Sequence, residues 1–420
     1  MSYFQITGGA PLEGALPVHG AKNSVLPILA ACLLAREQVV LHNCPDLTDV
    51  TAALAILEHL GCSTRREGDT VVVQPGAVIT NAIPEALMRP MRSSIIFLGP
   101  LLARTGGAHQ TMPGGCEIGA RPIDLHLAAM RALGASITED GAGLHCTAAK
   151  LNGCDIHLSL ASVGATENAM LAACGAEGTT TITNAAREPE IVALQEFLNL
   201  LGARVCGAGG GVITVEGGRP LSGGSFTIMG DRIVAATLLA CGACAGGDVT
   251  VFGVDWRQVS TVAAILSEAG CAVTSGEGMV RLKRDRDRPL SAVSTIRTAP
   301  YPGFPTDAQA PVMAALTKSR GTTLFVENLF ESRYRHVPEL IRMGADIDVE
   351  GRVAVVRGVE RLHGAKLEAC DLRGGGALVA AALGAEGEST IYGLHHIDRG
   401  YQRLEEMLRR LGGTIARVES

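Results

Sequence analysis

A chain of 420 residues is too long for one ordinary core, so two domains are the expectation. Hydrophobic residues at 47% against 19% charged exclude a disordered chain, and with 3% aromatic the core has to be Ala, Val, Leu and Ile with much Gly. A formal net charge of −6 argues against nonspecific nucleic-acid binding, so any anionic ligand must meet a local cluster of cations.

The N-terminal MSYFQITGGAPLEG has neither the basic start nor the continuous apolar core of a signal peptide, which predicts a cytoplasmic protein. The most apolar stretches, Val25 to Ala35 and Ile233 to Ala245, fall short of the roughly 20 residues needed to cross a bilayer and read as buried helices, with no membrane insertion. Twelve cysteines scattered through a large chain without an export signal are expected to be reduced thiols. Cys241 and Cys244 form a C-x-x-C inside an Ala-rich run, with no second ligand pair, and read as packing.

Followed along the chain, one pattern recurs six times. It opens with an apolar helix: SVLPILAACLLA, SSIIFLGPLLA, ENAMLAACGA, RIVAATLLACGA, QAPVMAALTK and GGALVAAALGA. A helix apolar on all sides belongs in the middle of a domain. A strand such as QVVLHN, TTTITN, DVTVFG, TTLFVEN or STIYGL follows, then a loop, then an amphipathic helix such as VTAALAILEHL, IVALQEFLNLL or VPELIRM. The unit closes on a glycine and a β-prone run: HLGCST with Gly61, ALGASI with Gly134, LLGARV with Gly202, EAGCAV with Gly270, RMGADI with Gly344 and RLGGTI with Gly412. These glycines are roughly 70 residues apart, and each is expected to end its helix in the left-handed conformation. Six α-β-loop-α-β units in two domains give three per domain. A solenoid of identical modules is the alternative; against it, the six loops differ sharply in chemistry, as PDLTDV, PGGCEIGARPIDL, AAREPEI, VDWRQV, FESRYRHV and HHIDRGYQ show.

One loop, Thr111 to Leu127, carries Cys116 after two glycines and Arg121 within reach of a thiolate or an anion. Alone, a cysteine is most often a small buried hydrophobe; the Gly-Gly context and the nearby arginine point to a reactive thiol.

With that loop, the chain resembles the UDP-N-acetylglucosamine 1-carboxyvinyltransferases over essentially its whole length. The matching segments are HGAKNSVLPIL near Lys22 and Asn23, MRSSIIFLGPLLAR around Arg92, the Cys116 loop with ARPIDLHL, SVGATEN from Ser162, YPGFPTDAQAP with Asp307, NLFESRYRHVPEL around Arg333, DLRGGGALV with Arg373 and HIDRGYQR with Arg399. The resemblance implies a pair of inside-out α/β barrel domains, each of three repeats around buried helices. It places residues 22–230 in the first and residues 1–21 with 231–420 in the second, with the active site in the cleft between them. The related shikimate-pathway transferase shares fold and donor, but the reactive Cys loop argues against it.

The implied reaction moves the enolpyruvyl group of phosphoenolpyruvate onto the 3-hydroxyl of UDP-N-acetylglucosamine, the first committed step of peptidoglycan synthesis. Its donor carries a carboxylate and a phosphate, which Lys22, Arg121, Arg373 and Arg399 would meet together with Asn23. The resemblance makes Cys116 the acid at C3, able also to form a thioether adduct and to be alkylated by an epoxide of the fosfomycin type. Asp307 reads either as a plain helix N-cap or as the base for the sugar hydroxyl, and the resemblance selects the base. Lys22 and Arg399 complete the implied catalytic set. The nucleotide sugar is expected along Arg92, Arg121, Pro122, Ile123, Asp124, Leu125, Ser162, Val163, Gly164 and Leu329, with Asp307 at its ring. Some relatives carry a lysine just before SVGAT where this chain has Ser159, Leu160 and Ala161, a departure that bears on nucleotide affinity. No metal motif occurs, and neither metal nor cofactor is expected.

Overall fold

The computed structural model describes residues 2–111, 122–141 and 143–419, with Arg92 described through its backbone alone. The chain divides into two compact units. Outside the undescribed stretch, the first runs from Gly20 to Met229, and the second comprises the residues up to His19 and from Gly230 onward.

Among the described residues each unit contains three four-stranded sheets of one internal pattern, a parallel pair followed by two antiparallel neighbours. In the first unit, Gly224–Thr227 lies parallel to Val39–His42, which pairs antiparallel with Thr70–Gln74 and then Ser63–Glu67. The second unit repeats the pattern with Leu12–Pro17, Gly247–Phe252, Met279–Arg284 and Ala272–Gly276. Along these strands burial alternates, as in Val353–Arg357, where Ala354 and Val356 point inward. One face of each sheet therefore packs on its unit's core.

The chain's beginning explains why the second unit needs it. Tyr3–Thr7 pairs with Glu388–Tyr392 and Thr414–Val418, completing a sheet otherwise made from the last repeat. Leu12–Pro17 supplies the parallel partner of Gly247–Phe252. Closure of the last repeat onto the first is incompatible with an open solenoid. Helices lie innermost and sheets outside them, which is the inside-out arrangement, built from separate sheets with no closed barrel among the described residues.

All six repeat glycines hold positive φ: 109° at Gly61, 102° at Gly134, 105° at Gly202, 105° at Gly270, 97° at Gly344 and 88° at Gly412. A side chain is strained there, so glycine is what lets helix turn into strand within two residues.

In the second unit the helices Arg232–Ala245, Thr306–Leu316 and Leu372–Gly384 pack on one another, and every residue of the first is buried. In the first unit Leu98–Thr105 packs on Val163–Cys174, and Lys22–Ala31 joins them through its short continuation Cys32–Leu34. Backbones approach closely: a Cβ on Gly99 would sit 2.5 Å from the Asn168 carbonyl oxygen, and one on Gly384 would sit 2.6 Å from that of Cys244. Small residues thus do the packing that large aromatics do elsewhere. Each fully buried Leu, Ile or Val adds about 1.5–3 kcal/mol. Cys241 and Cys244 are part of this core; burial pushes the Cys244 thiol up to about 12 and Cys241 in the same direction.

Candidate active site

Several of the sequence-predicted residues lie at the N-terminal ends of their unit's buried helices. Lys22 is the first residue of Lys22–Ala31, Arg92 opens the turn leading into Leu98–Thr105, and Ser162 caps Val163–Cys174. In the second unit Asp307 lies in the first turn of Thr306–Leu316, and Arg373 follows Asp371, the cap of Leu372–Gly384. Helix N-termini present unpaired N–H groups and positive dipole ends, which favours anionic ligands at all of these places.

Asp307 is not an N-cap, because Pro305 holds that position. Its carboxylate is turned to two arginines: Oδ1 accepts from Arg333 Nη2 at 2.7 Å and Oδ2 from Arg373 Nη2 at 3.0 Å. Both guanidiniums are 3% exposed, whereas the Asp307 side chain keeps 26%, so the acid is the member that a substrate can reach. Arg333 also donates to the Thr306 carbonyl and stands 3.8 Å from Asp371. Asp371 Oδ1 in turn accepts from the amides of Arg373 and Gly374. Burial works against the charge on Arg373, but Asp307, Tyr401 and Asp231 outweigh it and hold its pKa above the usual range. Among the described residues Arg373 Nη1 is nevertheless buried without a hydrogen-bond acceptor in its plane, the Tyr401 ring lying against the guanidinium's face. A buried guanidinium with an open donor is costly unless something anionic fills it.

The turn bearing Arg399 is tied to the same place. Tyr401 lies under the Arg373 guanidinium at 5.4 Å and hydrogen-bonds Thr237 at 3.0 Å, and a Cβ on Gly400 would meet Leu372 at 2.7 Å. Leu329 is fixed to the Asp307 helix through Glu327. That fully buried carboxylate accepts from the Leu329 amide at 2.9 Å with one oxygen and from the Thr306 hydroxyl at 2.9 Å with the other. Asp307, Arg373, Arg399 and Leu329 therefore belong to one neighbourhood of the second unit.

In the first unit Lys22 Nζ lies 2.6 Å from Asp49, both nearly buried, while Asn23 is half-exposed beside them. Segments 122–125 and 162–164, far apart in sequence, meet through His126. Its ring is where a Cβ on Gly164 would collide, 3.0 Å from Cε1, and its Nδ1 is 2.7 Å from Asn168 Nδ2. Asn168 also donates to the Ile95 carbonyl at 2.9 Å and accepts from the Gly99 amide at 2.8 Å, stitching the starts of two buried helices together. Ile123 is buried, Leu125 half-buried, and Pro122 and Asp124 exposed; Ser162, Val163 and Gly164 are half-exposed. Cys116 and Arg121 lie outside the described residues, as does the Arg92 side chain.

Residues 6–408 match the family model of EPSP synthase (3-phosphoshikimate 1-carboxyvinyltransferase). A protein of Caldanaerobacter subterraneus named UDP-N-acetylglucosamine 1-carboxyvinyltransferase 2 is 48% identical over 418 residues, covering 100% of both chains. One of Aeromonas salmonicida with the same name, unnumbered, is 45% identical over 420 residues, again covering 100% of both. The chain belongs to the UDP-N-acetylglucosamine 1-carboxyvinyltransferases. The enolpyruvyl transferase NikO of Streptomyces tendae superposes with a TM-score of 0.89 at 26% identity, covering 100% of this chain and 99% of its own. EPSP synthase of Acinetobacter baumannii, at 20% identity and a TM-score of 0.74 with full coverage of both chains, shows the shared fold.

Several residues here lie inside or beside the matched segments without their contacts being readable there. Asp49, Arg333 and Asp371 hold the assigned groups in place, and His336 is buried beside Gly374. His336 is 2% exposed, and burial pushes its pKa down, with Asp371 opposing and Arg333 adding to the shift, so the ring is neutral. The signal for Asp371 was present, since an aspartate just before an apolar helix is a cap. Arg333 and His126 fall in matched segments, but nothing local marks their partners, which lie 26 and 42 positions away.

Proposed function

We propose that this chain transfers the enolpyruvyl group of phosphoenolpyruvate to the 3-hydroxyl of UDP-N-acetylglucosamine with release of phosphate, the first committed step of peptidoglycan synthesis. The observation that carries this reading is the Asp307–Arg373 pair: a reachable carboxylate held by a buried arginine that keeps an open donor. Full-length likeness to the named transferases supports the same donor and acceptor.

The donor's carboxylate and phosphate are met by Lys22, Asn23, Arg121, Arg373 and Arg399, whose forks and point charge match both groups. Arg373 exchanges Asp307 for a donor oxygen, which frees Oδ2 for the sugar hydroxyl. Asp307 then takes the hydroxyl proton as the sugar oxygen attacks C2, while Cys116 delivers a proton to C3. A C3 proton and the phosphate then leave, the C2–O bond to phosphate breaks, and the C2–C3 double bond re-forms as the enol ether. The nucleotide sugar runs along Arg92, Arg121, residues 122–125, residues 162–164 and Leu329, with N–H groups at helix starts facing the diphosphate. Small anionic metabolites as both substrates fit a cytoplasmic enzyme. Among the described residues, no helix is long and apolar enough to cross a membrane.

The test is phosphate release from phosphoenolpyruvate with UDP-N-acetylglucosamine or shikimate 3-phosphate, for wild type and Cys116→Ala, with and without a chelator. Release with the nucleotide sugar alone, lost in the variant and indifferent to chelator, is the expected result. No release with either acceptor from folded protein overturns the reading. Cys116→Asp should keep some activity and escape alkylation by the epoxide; a variant still labelled refutes the role given to the thiol.

A further inference from the structure

The C-terminal ends of the first unit's buried helices, away from Lys22 and Ser162, surround a cavity of about 980 Å³. Leu34, Arg104 and Gly175 bring those three ends to its wall, and Arg36 and Arg219 stand at its rim. Among the described residues no carboxylate lines it. The side chains of Arg36, Arg104 and Arg219 make no hydrogen bond or ion pair among the described residues.

A structural duty for these arginines would be to cap helix carbonyls, since cations suit helix C-termini. At each of these ends a backbone amide already takes a terminal carbonyl: Gly218 N donates to Cys174 at 3.0 Å, Gly106 N to Leu102 at 3.0 Å and Ala35 N to Cys32 at 3.2 Å. The corresponding end of the second unit shows what capping looks like. There Arg284 donates to the carbonyls of Ala243 and Cys244, and Lys318 donates to that of Gly384 at 2.7 Å. Arg286 binds the Gly9 carbonyl. The second unit consumes its cations internally; the first leaves three around an open concavity, where their fields add.

We infer that this cavity is a second anion-binding site, for a small organic anion of the polyphosphate class. Three guanidinium forks exceed what one phosphate needs, and the volume lies in the range of small-molecule sites. Leu34, Ala103, Pro220 and Leu221 offer apolar wall for the organic part. The site lies at the opposite helix ends from the catalytic residues and does not depend on which reaction they run.

Calorimetric titration with inorganic pyrophosphate and with orthophosphate tests it, on wild type and on Arg36→Gln/Arg104→Gln/Arg219→Gln. Wild type should bind one pyrophosphate more than the triple variant does, at least tenfold more tightly than orthophosphate and more weakly as salt rises. Equal stoichiometry and affinity in the two proteins overturns the inference, as does wild type that binds none. Should the triple variant fold poorly, Arg36→Gln and Arg219→Gln alone, both at exposed positions, should each weaken that binding at least threefold. Unchanged affinity in both overturns it equally.

Discussion

At the N-terminal ends of its buried helices the first unit carries Lys22 paired with Asp49 and an uncharged network of His126, Asn168 and backbone groups. The second unit carries, at the same topological place, two arginines interlocked with Asp307 and Asp371. The repeat, the sheet pattern and the positive-φ glycines are common to both. One scaffold therefore supports two kinds of surface. A neutral network ties backbone groups together at the helix starts of the first; a dense ion cluster holds a carboxylate between two arginines in the second. Under the proposed function the sugar hydroxyl's proton goes to Asp307 of the second unit, while the first unit supplies Cys116 for C3 and groups along the nucleotide.

The sharpest way to break that assignment is Asp307→Asn, which keeps size and can still accept from one arginine. A lost general base should lower kcat by roughly 10²–10⁴-fold, with the nucleotide-sugar KM little changed. Phosphate release under saturating substrates measures it. A variant with normal kcat and a raised KM would move Asp307 from chemistry to binding.

Arg333→Met asks whether the ion cluster is also structural. Arg333 is 3% exposed and stands between Asp307 and Asp371, so its removal takes the facing cation from the nearly buried Asp371 and leaves Asp307 with Arg373 alone. Breaking a buried pair from one side typically costs about 3–5 kcal/mol. Urea unfolding should show that loss in the second unit's transition, and stability within 1 kcal/mol of wild type, on the order of a surface substitution, would argue that the cluster is solvated. Asn168→Ala is the counterpart in the first unit. It takes the side-chain acceptor from the Gly99 amide and one of two donors from the Ile95 carbonyl, which keeps the Leu98 amide, at a cost of about 1–3 kcal/mol. It should also weaken UDP-N-acetylglucosamine binding, because His126 loses what holds it against Gly164. If nucleotide affinity is untouched, the neutral network serves the fold alone.

How far the sequence carries depends on whether a feature is local. The glycine that ends a helix and the strand after it are written within a few adjacent residues, so Gly61 and its counterparts are legible without any structure. The buried helices are legible because they are apolar on every side. The location of Asp307 in a first turn was readable from PGFPT before it, but not its two arginines, which arrive from 26 and 66 residues away. The same holds for His126: a lone histidine on a helix looks like ordinary packing until Gly164 and Asn168 are seen around it. The cationic cavity shows the limit most plainly, since Arg36, Arg104 and Arg219 share no motif and are gathered only by three helix ends.

The smallest effect, and the most specific to the contrast between the units, belongs to Glu167. In the second unit the buried aspartates face arginines. Glu167, in the first, is buried in the helix Val163–Cys174, and burial, then Glu190 and Glu188, push its pKa well above the ordinary 4.5. A carboxyl whose folded pKa is raised binds its proton more tightly folded than unfolded, so it costs stability as pH rises through the unfolded value, near 4.5, toward the folded one. Glu167→Gln removes that cost while keeping shape and hydrogen-bonding capacity. Its melting temperature should therefore exceed the wild type's at pH 7.5, with the gap closing at pH 4. A variant less stable than wild type at pH 7.5 would mean that Glu167 is ionised and compensated. The first unit would then hold a charged cluster of its own, and the division of labour drawn from Lys22, His126 and Asn168 would have to be redrawn.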